Sequence, residues 1–363
     1  MHALHSIGGF AFSLLVLGLI PSLAEPRFVS AADPAISYVG GWGKVQNGDQ
    51  ASMVTVNSRS QIYVSFAGQH IAALFDLDKI DCLEQIVVKV DNGPWKLFTI
   101  DKPQIEFFPA GLNQGTHRLE VVIKALDSKA GRWLAPLRSA VKFRGFELDP
   151  GAQVEREVSL EGRPRLVFLG DSITQGDGIK GTNAASVMDG DALASYAWLA
   201  GEALGTTHSQ IAFPGQGVLT SDSREVPPAI FSFGWNFAGS AADYSGDPDF
   251  LVINLGLNDA GISSSEFTQS YVDLLREIRE RFPRTIVFAL RPFSGEHLRD
   301  DHVATAVKMF ADSQVYYVDS DGWFDESDFT DRLHLNIVGS ERAAARLQAR
   351  LEPYIRRWKS EHR

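Results

Sequence analysis

Cysteine is almost missing from this chain. Cys82 stands alone among 363 residues, so no intramolecular disulfide can form. Stability must come from packed cores, and the length suits two domains better than one. The lone thiol reads as a small buried hydrophobe rather than a reactive group. Basic runs are missing too. Lys and Arg number 34 against 45 Asp and Glu, a formal charge of −11, and the cations are dispersed. That removes the electrostatic footprint for nucleic acid and disfavours anionic membrane surfaces. The nine histidines show no His-x-x-x-His or His-x-x-Glu-His spacing, so no metal site is expected, and no cofactor. A second long apolar run is also absent.

The one long apolar stretch, Gly8 to Ile20, is short for a membrane span, which needs about 20 residues. Pro21-Ser22-Leu23-Ala24 then places small residues where a signal peptidase cuts. Residues 1–24 are expected to be a signal peptide and the mature chain to be secreted or periplasmic, without membrane contact after cleavage. The residues before Gly8 carry no Lys or Arg, which leaves an uncleaved N-terminal anchor as the alternative.

Two periodicities divide the remainder. From Ile36 to Leu148 short alternating runs are separated by turn residues. Gln61–Phe66 alternates polar and apolar, and Ile86–Val90 and Trp95–Ile100 flank the hairpin signal Asp91-Asn92-Gly93-Pro94. Leu119–Ile123 and Val141–Phe146 continue the series. This pattern predicts an all-β sandwich, jelly-roll-like, over 25–150. Asp149-Pro150-Gly151 reads as a domain edge. Beyond it, over 151–363, continuous apolar runs alternate with helical segments. The runs are Arg165–Leu169, Gln210–Phe213, Phe250–Leu255, Thr285–Leu290 and Val315–Val318. Helices are expected over Ala192–Leu204, after a Ser263/Glu266 capping box, over His302–Phe310 and over Val338–Leu351. That alternation predicts an α/β domain with a parallel sheet covered on both faces.

Ligands of such a sheet bind past the carboxyl ends of its strands. There the sequence places Gly170-Asp171-Ser172, then Pro214-Gly215-Gln216-Gly217, then Gly256-Leu257-Asn258-Asp259, and finally Asp331-Arg332-Leu333-His334. Acyl transfer needs a nucleophile, a base, a group to orient the base, and donors for the oxyanion. Ser172, His334 and Asp331 fit the first three. The N–H groups of Ser172 and Gly215 and the Asn258 amide fit the last, with Gly217 as an alternative to Gly215. Asp171 and Asp259 are expected to brace their turns. Gly176-Asp177-Gly178-Ile179-Lys180-Gly181 matches Gly-x-Gly-x-x-Gly by letter, but six residues separate it from the strand, which argues against a nucleotide site. Trp235, Phe237, Trp323 and Phe324 lie in loops near these strand ends and are equally suited to stacking on a sugar or anchoring a loop.

Gly-Asp-Ser-Ile-Thr, the glycine turn, Gly-x-Asn-Asp and the terminal Asp-x-x-His, in that order, resemble the SGNH (GDSL) hydrolases over about Arg165 to Leu351. The resemblance implies a flavodoxin-like three-layer domain with Ser172 as nucleophile, His334 as base, Asp331 as its partner, and Gly215 and Asn258 as oxyanion donors. The whole chain, with its β-rich first half, Tyr196-Ala197-Trp198-Leu199-Ala200 and Pro214-Gly215-Gln216-Gly217-Val218, resembles carbohydrate esterase family 2. That implies removal of O-acetyl groups from xylan, mannan or 6-O-acetyl hexoses. The alternatives are a lipase, arylesterase or thioesterase on the same scaffold, an O-acyltransferase, and a sugar-binding module whose catalytic half has decayed.

Overall fold

Alternation with period two sorts the first half into strands with one face inward. In the computed structural model, Ile62, Val64 and Phe66 of strand Gln61–Ala67 meet Leu119, Val121 and Ile123 of strand Thr116–Ala125 and Ile86 and Val88 of strand Gln85–Val90, all in one buried cluster. Their register is antiparallel, Val64 opposite Leu119 and Val121 opposite Val88. The structure describes residues 25–362 except 48–49, 157–159, 223–224, 244–245 and 294–298; the expected signal peptide lies outside the described residues. The Asp91–Pro94 hairpin forms where expected, with Asp91 at φ 51° and Val88 paired to Lys96. A second antiparallel sheet, centred on Val141–Leu148 and Ile71–Phe75, closes the sandwich through Phe75, Phe143 and Phe146. After the turn at Asp149–Ala152 the chain returns to this domain, pairing Val154–Glu155 with Gln61–Ala67 before it crosses over.

The continuous apolar runs become five parallel strands: β1 (Arg165–Gly170), β2 (Thr207–Ala212), β3 (Phe250–Asn254), β4 (Ile286–Leu290) and β5 (Val315–Val318). Their order is β2-β1-β3-β4-β5. Alternate residues feed opposite cores, which is why the runs show no polar alternation. Val167, Leu169, Leu251, Ile253 and Val287 face one cluster, and Leu166, Phe168, Phe250, Val252 and Phe288 the other. Helices α1 (Tyr196–Leu204) and α4 (Ile337–Glu361) cover the second face; α2 (Ser264–Arg281) and α3 (Asp300–Phe310) cover the first. The capping box on Ser263 and Glu266 forms, and Phe267, Tyr271, Leu274, Leu275 and Ile278 are all buried. Helix α1 starts later than its apolar pattern suggests, because Ser195 caps it by accepting from Trp198 N. Helix α4 runs on through Pro353 to Glu361, since Ile355 still packs in the core and burial outweighs the missing N–H.

The core does not stop at the domain edge. Val54, Val56, Trp133, Leu137 and Ala140 of the sandwich share a cluster with Ile211, Phe213 and Val167. A polar seam accompanies it. Gln61 Nε2 donates to the His208 carbonyl at 2.7 Å, and Arg59 Nη2 lies 2.6 Å from His208 Nδ1. Arginine can only donate, so Nδ1 accepts and the Nε2–H points at Glu202 Oε1, 3.0 Å away. Burial, aided by the Arg59 charge, pushes the fully enclosed imidazole down to about 4.

The unfolded chain takes up this proton near pH 6.5, the folded chain only near 4. The contribution of this one group to stability is therefore complete above about pH 6.5 and is lost as the pH drops toward 4, by on the order of 3 kcal/mol. His208→Asn, which can still accept from Arg59, is expected to remove that contribution, so that the difference in urea stability between variant and wild type changes by about that amount between pH 6.5 and 4. A difference that stays constant over that range would remove His208 as its source.

Candidate active site

Strand β1 ends in Gly170, and the chain turns at once. Asp171 caps the single helical turn Ser172–Gln175 by accepting from Ile173 N at 3.0 Å, and Gly176, at φ 86°, ends it in the left-handed region that glycine enters freely. The turn presents Ser172 at the carboxyl edge of the sheet, at the β1/β3 point where a β2-β1-β3-β4-β5 order reverses direction. His334 arrives from the far end of the chain. Its loop is held by Asp331, whose Oδ1 accepts from the His334 N–H at 2.8 Å and the Leu333 N–H at 3.2 Å, while Thr330 N donates to the His334 carbonyl at 2.9 Å. The result is a continuous chain of hydrogen bonds. Asp331 Oδ2 lies 2.7 Å from His334 Nδ1, and His334 Nε2 lies 2.9 Å from Ser172 Oγ. Partial burial works to raise the Asp331 carboxyl, but the His334 N–H and imidazole outweigh it and hold the group below its ordinary range.

The other expected residues border the same cavity. A cleft of about 670 Å³ is lined by Ser172, His334, Gly215 and Asn258 together with Pro214, Leu257 and Leu333. Gly215 sits at φ 74°, which a side chain would strain. The Gly217 N–H already donates to the Thr220 carbonyl at 2.9 Å, so Gly215 is the glycine left to face substrate. Asp259 accepts from the N–H groups of Val218, Leu219 and Thr220 and locks this loop. The Asn258 amide nitrogen is aimed by Gln216 O at 3.1 Å and Asp171 Oδ2 at 3.2 Å. Both amide hydrogens are thus engaged, and donation to an oxyanion would require one of these contacts to be released. Asp171 is fully enclosed, and burial pushes it up to about 7 against the pull of the Ile173 N–H and the nearby His334. Both aspartates thus brace turns, as their positions suggest. Asn258→Ala is expected to cost about 2.7–4 kcal/mol in kcat toward an acetate ester. A loss under about tenfold would restrict the amide to holding the loop.

The far wall of the cleft comes from the sandwich. Ser128, Lys129, Gly131, Arg132 and Arg138 line it, beside Asp177, Asp222 and Glu225 of the second domain. The sandwich residues were not legible as site residues, because each meets the cleft only through the domain packing. The loop aromatics do not join them. Trp323 and Phe324 pack around Phe293 at ring distances of 5.6 and 5.2 Å, Phe237 is in the core, and Trp235 is exposed elsewhere. Cys82 is half-buried, and burial plus the Glu84, Asp127 and Asp81 charges push its thiol up to about 12. Among the described residues no group of three His, Cys, Asp or Glu side chains could hold a metal, and no helix is long and apolar enough to cross a membrane.

A flavodoxin-ordered sheet with a serine, histidine and aspartate hydrogen-bonded in series at its carboxyl edge is the framework of a carboxylic ester hydrolase. Residues 168–342, the part of the chain that carries Ser172, Gly215, Asn258 and His334, match the model of the GDSL-like Lipase/Acylhydrolase family. The two-domain fold is that of carbohydrate esterase family 2 structures. A family two carbohydrate esterase from Cellvibrio japonicus superposes with a TM-score of 0.73 at 18% identity, over 93% of this chain and 99% of that one. One from Clostridium thermocellum, in complex with cellohexaose, gives 0.72 at 22% identity, over 89% and 99%. An acetyl xylan esterase from the rumen bacterium Butyrivibrio proteoclasticus gives 0.72 at 16% identity, over 92% and 100%. A comparison with curated protein sequences returns no match.

Proposed function

We propose that this protein is an exported serine esterase that removes O-acetyl groups from carbohydrate, with Ser172 as nucleophile, His334 as general base and Asp331 as its orienting partner. The observation that carries the reading is the 2.9 Å contact between Ser172 Oγ and His334 Nε2 in an open cleft. His334 takes the Ser172 proton as Oγ attacks the acetyl carbonyl. The N–H groups of Ser172 and Gly215 and the Asn258 amide receive the oxyanion. His334 then protonates the departing sugar oxygen, leaving acetyl-Ser172, and water activated by the same imidazole releases acetate.

Three observations support acetylated sugar as the substrate. Charged side chains that can bond sugar hydroxyls, among them Lys129, Arg138, Asp222 and Glu225, line part of the cleft. The same two-domain fold occurs in an esterase solved with cellohexaose and in an acetyl xylan esterase. The apolar stretch Gly8–Ile20, followed by small residues, suits an enzyme sent to meet polysaccharide outside the cytoplasm. The test has two parts. Hydrolysis of p-nitrophenyl acetate should exceed that of the octanoate in kcat/KM, and acetate should be released from acetylated xylan, glucomannan or 6-O-acetylglucose. A preference for octanoate would replace this reading with a lipase.

A further inference from the structure

The turn carrying Ser172 is only four residues long. A helix that short does not hold itself, since about 12–15 residues are needed for even marginal stability alone. Its geometry must be imposed from outside. At its start Asp171 does this from within the same domain. At its far end some of the anchors belong to the other domain.

Arg132, in the sandwich segment 126–140, is 3% exposed. Its Nη1 donates to Gln175 Oε1 at 2.8 Å and to Val56 O at 3.2 Å, and its Nη2 donates to Ser128 Oγ at 3.3 Å. Ser128 Oγ donates to Asp177 Oδ2 at 2.7 Å, and Gln175 Nε2 donates to Asp177 Oδ1 at 2.5 Å. The backbone N–H of Asp177 donates to the Ser172 carbonyl at 3.0 Å. One planar guanidinium thus reaches two branches of a network that ends on the nucleophile's own peptide. Burial lowers the Arg132 guanidinium, and the carboxylates of Asp177, Glu84 and Asp127 act against that. Burial likewise pushes Asp177 up to about 6, with Arg132 and the hydrogen bonds from Ser128 and Gln175 opposing it. The two charges are enclosed together, and removing Arg132 takes away the main charge that compensates Asp177.

The geometry points to Arg132, a residue of the first domain, as a positioning residue for Ser172, acting through Gln175 and Asp177. This rests on the esterase reading above. The first domain is then part of the catalytic apparatus as well as a wall of the cleft.

Displacing reacting atoms by about 1 Å can cost about 10²-fold. Arg132→Met is therefore expected to lower kcat toward p-nitrophenyl acetate by about 10–100-fold with KM little changed, counted per site titrated with a small phosphonate ester. Arg132→Lys, which keeps the charge and one donor but loses the fork, should recover part of that loss. Asp177→Asn should cost activity alone yet restore some in the Arg132→Met background, because it removes the uncompensated carboxylate. A purely structural role would lower the titrated fraction and the melting temperature while leaving per-site kcat intact. Should Arg132→Met not fold, Arg132→Lys and Asp177→Asn with their double carry the test. Per-site kcat within about twofold of wild type in the soluble variants, or strictly additive losses, would overturn the proposal. A wild-type protein that is neither phosphonylated nor active would overturn the esterase reading itself.

Discussion

Ser172→Ala is expected to lower kcat toward p-nitrophenyl acetate by about 10⁶-fold, and His334→Ala by about as much. The two form one device. Without the imidazole Ser172 keeps its proton, and without the hydroxyl His334 has nothing to activate but water. The double variant should therefore be hardly worse than either single one. What remains, about 10³–10⁴ over water, belongs to the oxyanion donors and to binding. The substitution should leave the fold intact, because the Ser172 hydroxyl bonds only to His334 among the described side chains. Steady-state kinetics with circular dichroism of the same samples checks both halves. A loss below about 100-fold with native spectra would place the nucleophile elsewhere.

The second large effect concerns Asp331. An Asp-x-x-His pair leaves open whether the carboxylate or a backbone carbonyl orients the imidazole, and the two cases differ by orders of magnitude. In the structure the partner of His334 Nδ1 is Asp331 Oδ2, at 2.7 Å. The same carboxylate accepts from the Leu333 and His334 N–H groups, so it orients the ring and shapes the loop. Asp331→Asn is expected to cost up to ~10⁴ in kcat, because an amide N–H facing Nδ1 favours the wrong tautomer. Asp331→Ala loses the loop bonds too and should lower the melting temperature as well, whereas the asparagine retains an acceptor. Near-normal kcat for Asp331→Asn would leave a Ser172–His334 dyad.

The depression of Asp331 keeps it ionised as pH falls, so this carboxylate should not set the low-pH limb of kcat/KM.

Much of this was readable because it is local. A strand buried on both faces, such as Phe250–Asn254, announces itself by an unbroken apolar run. The hairpin at Asp91–Pro94 and the cap at Ser263 follow from the conformations those few residues prefer. The candidate site was legible for a related reason. In a parallel sheet each strand's carboxyl end faces the same edge, so the residues after successive strands converge whatever their separation in sequence. Ser172 and Asn258 are brought together by topology alone. Where local preference met packing, packing won. Pro353 does not stop α4 because Ile355 and Trp358 still bury against the second core. Trp323 and Phe324 are core aromatics because Phe293 offers ring faces at contact distance.

The sequence by itself determined the two periodicities, the strand-end residues and hence the chemistry offered at the sheet edge. Short-range sterics and hydrophobic alternation act within a few residues and leave their mark in the order of the letters. Only the tertiary structure decided which side chain orients His334 and which glycine can still donate. It alone brought segment 126–140 of the sandwich to the wall of the cleft, with Arg132 against the turn of Ser172. Those contacts join residues 43 positions apart, as Arg132 and Gln175 are. Such a pairing has no periodicity of its own. It exists only because two apolar faces packed together and left a buried guanidinium in need of partners.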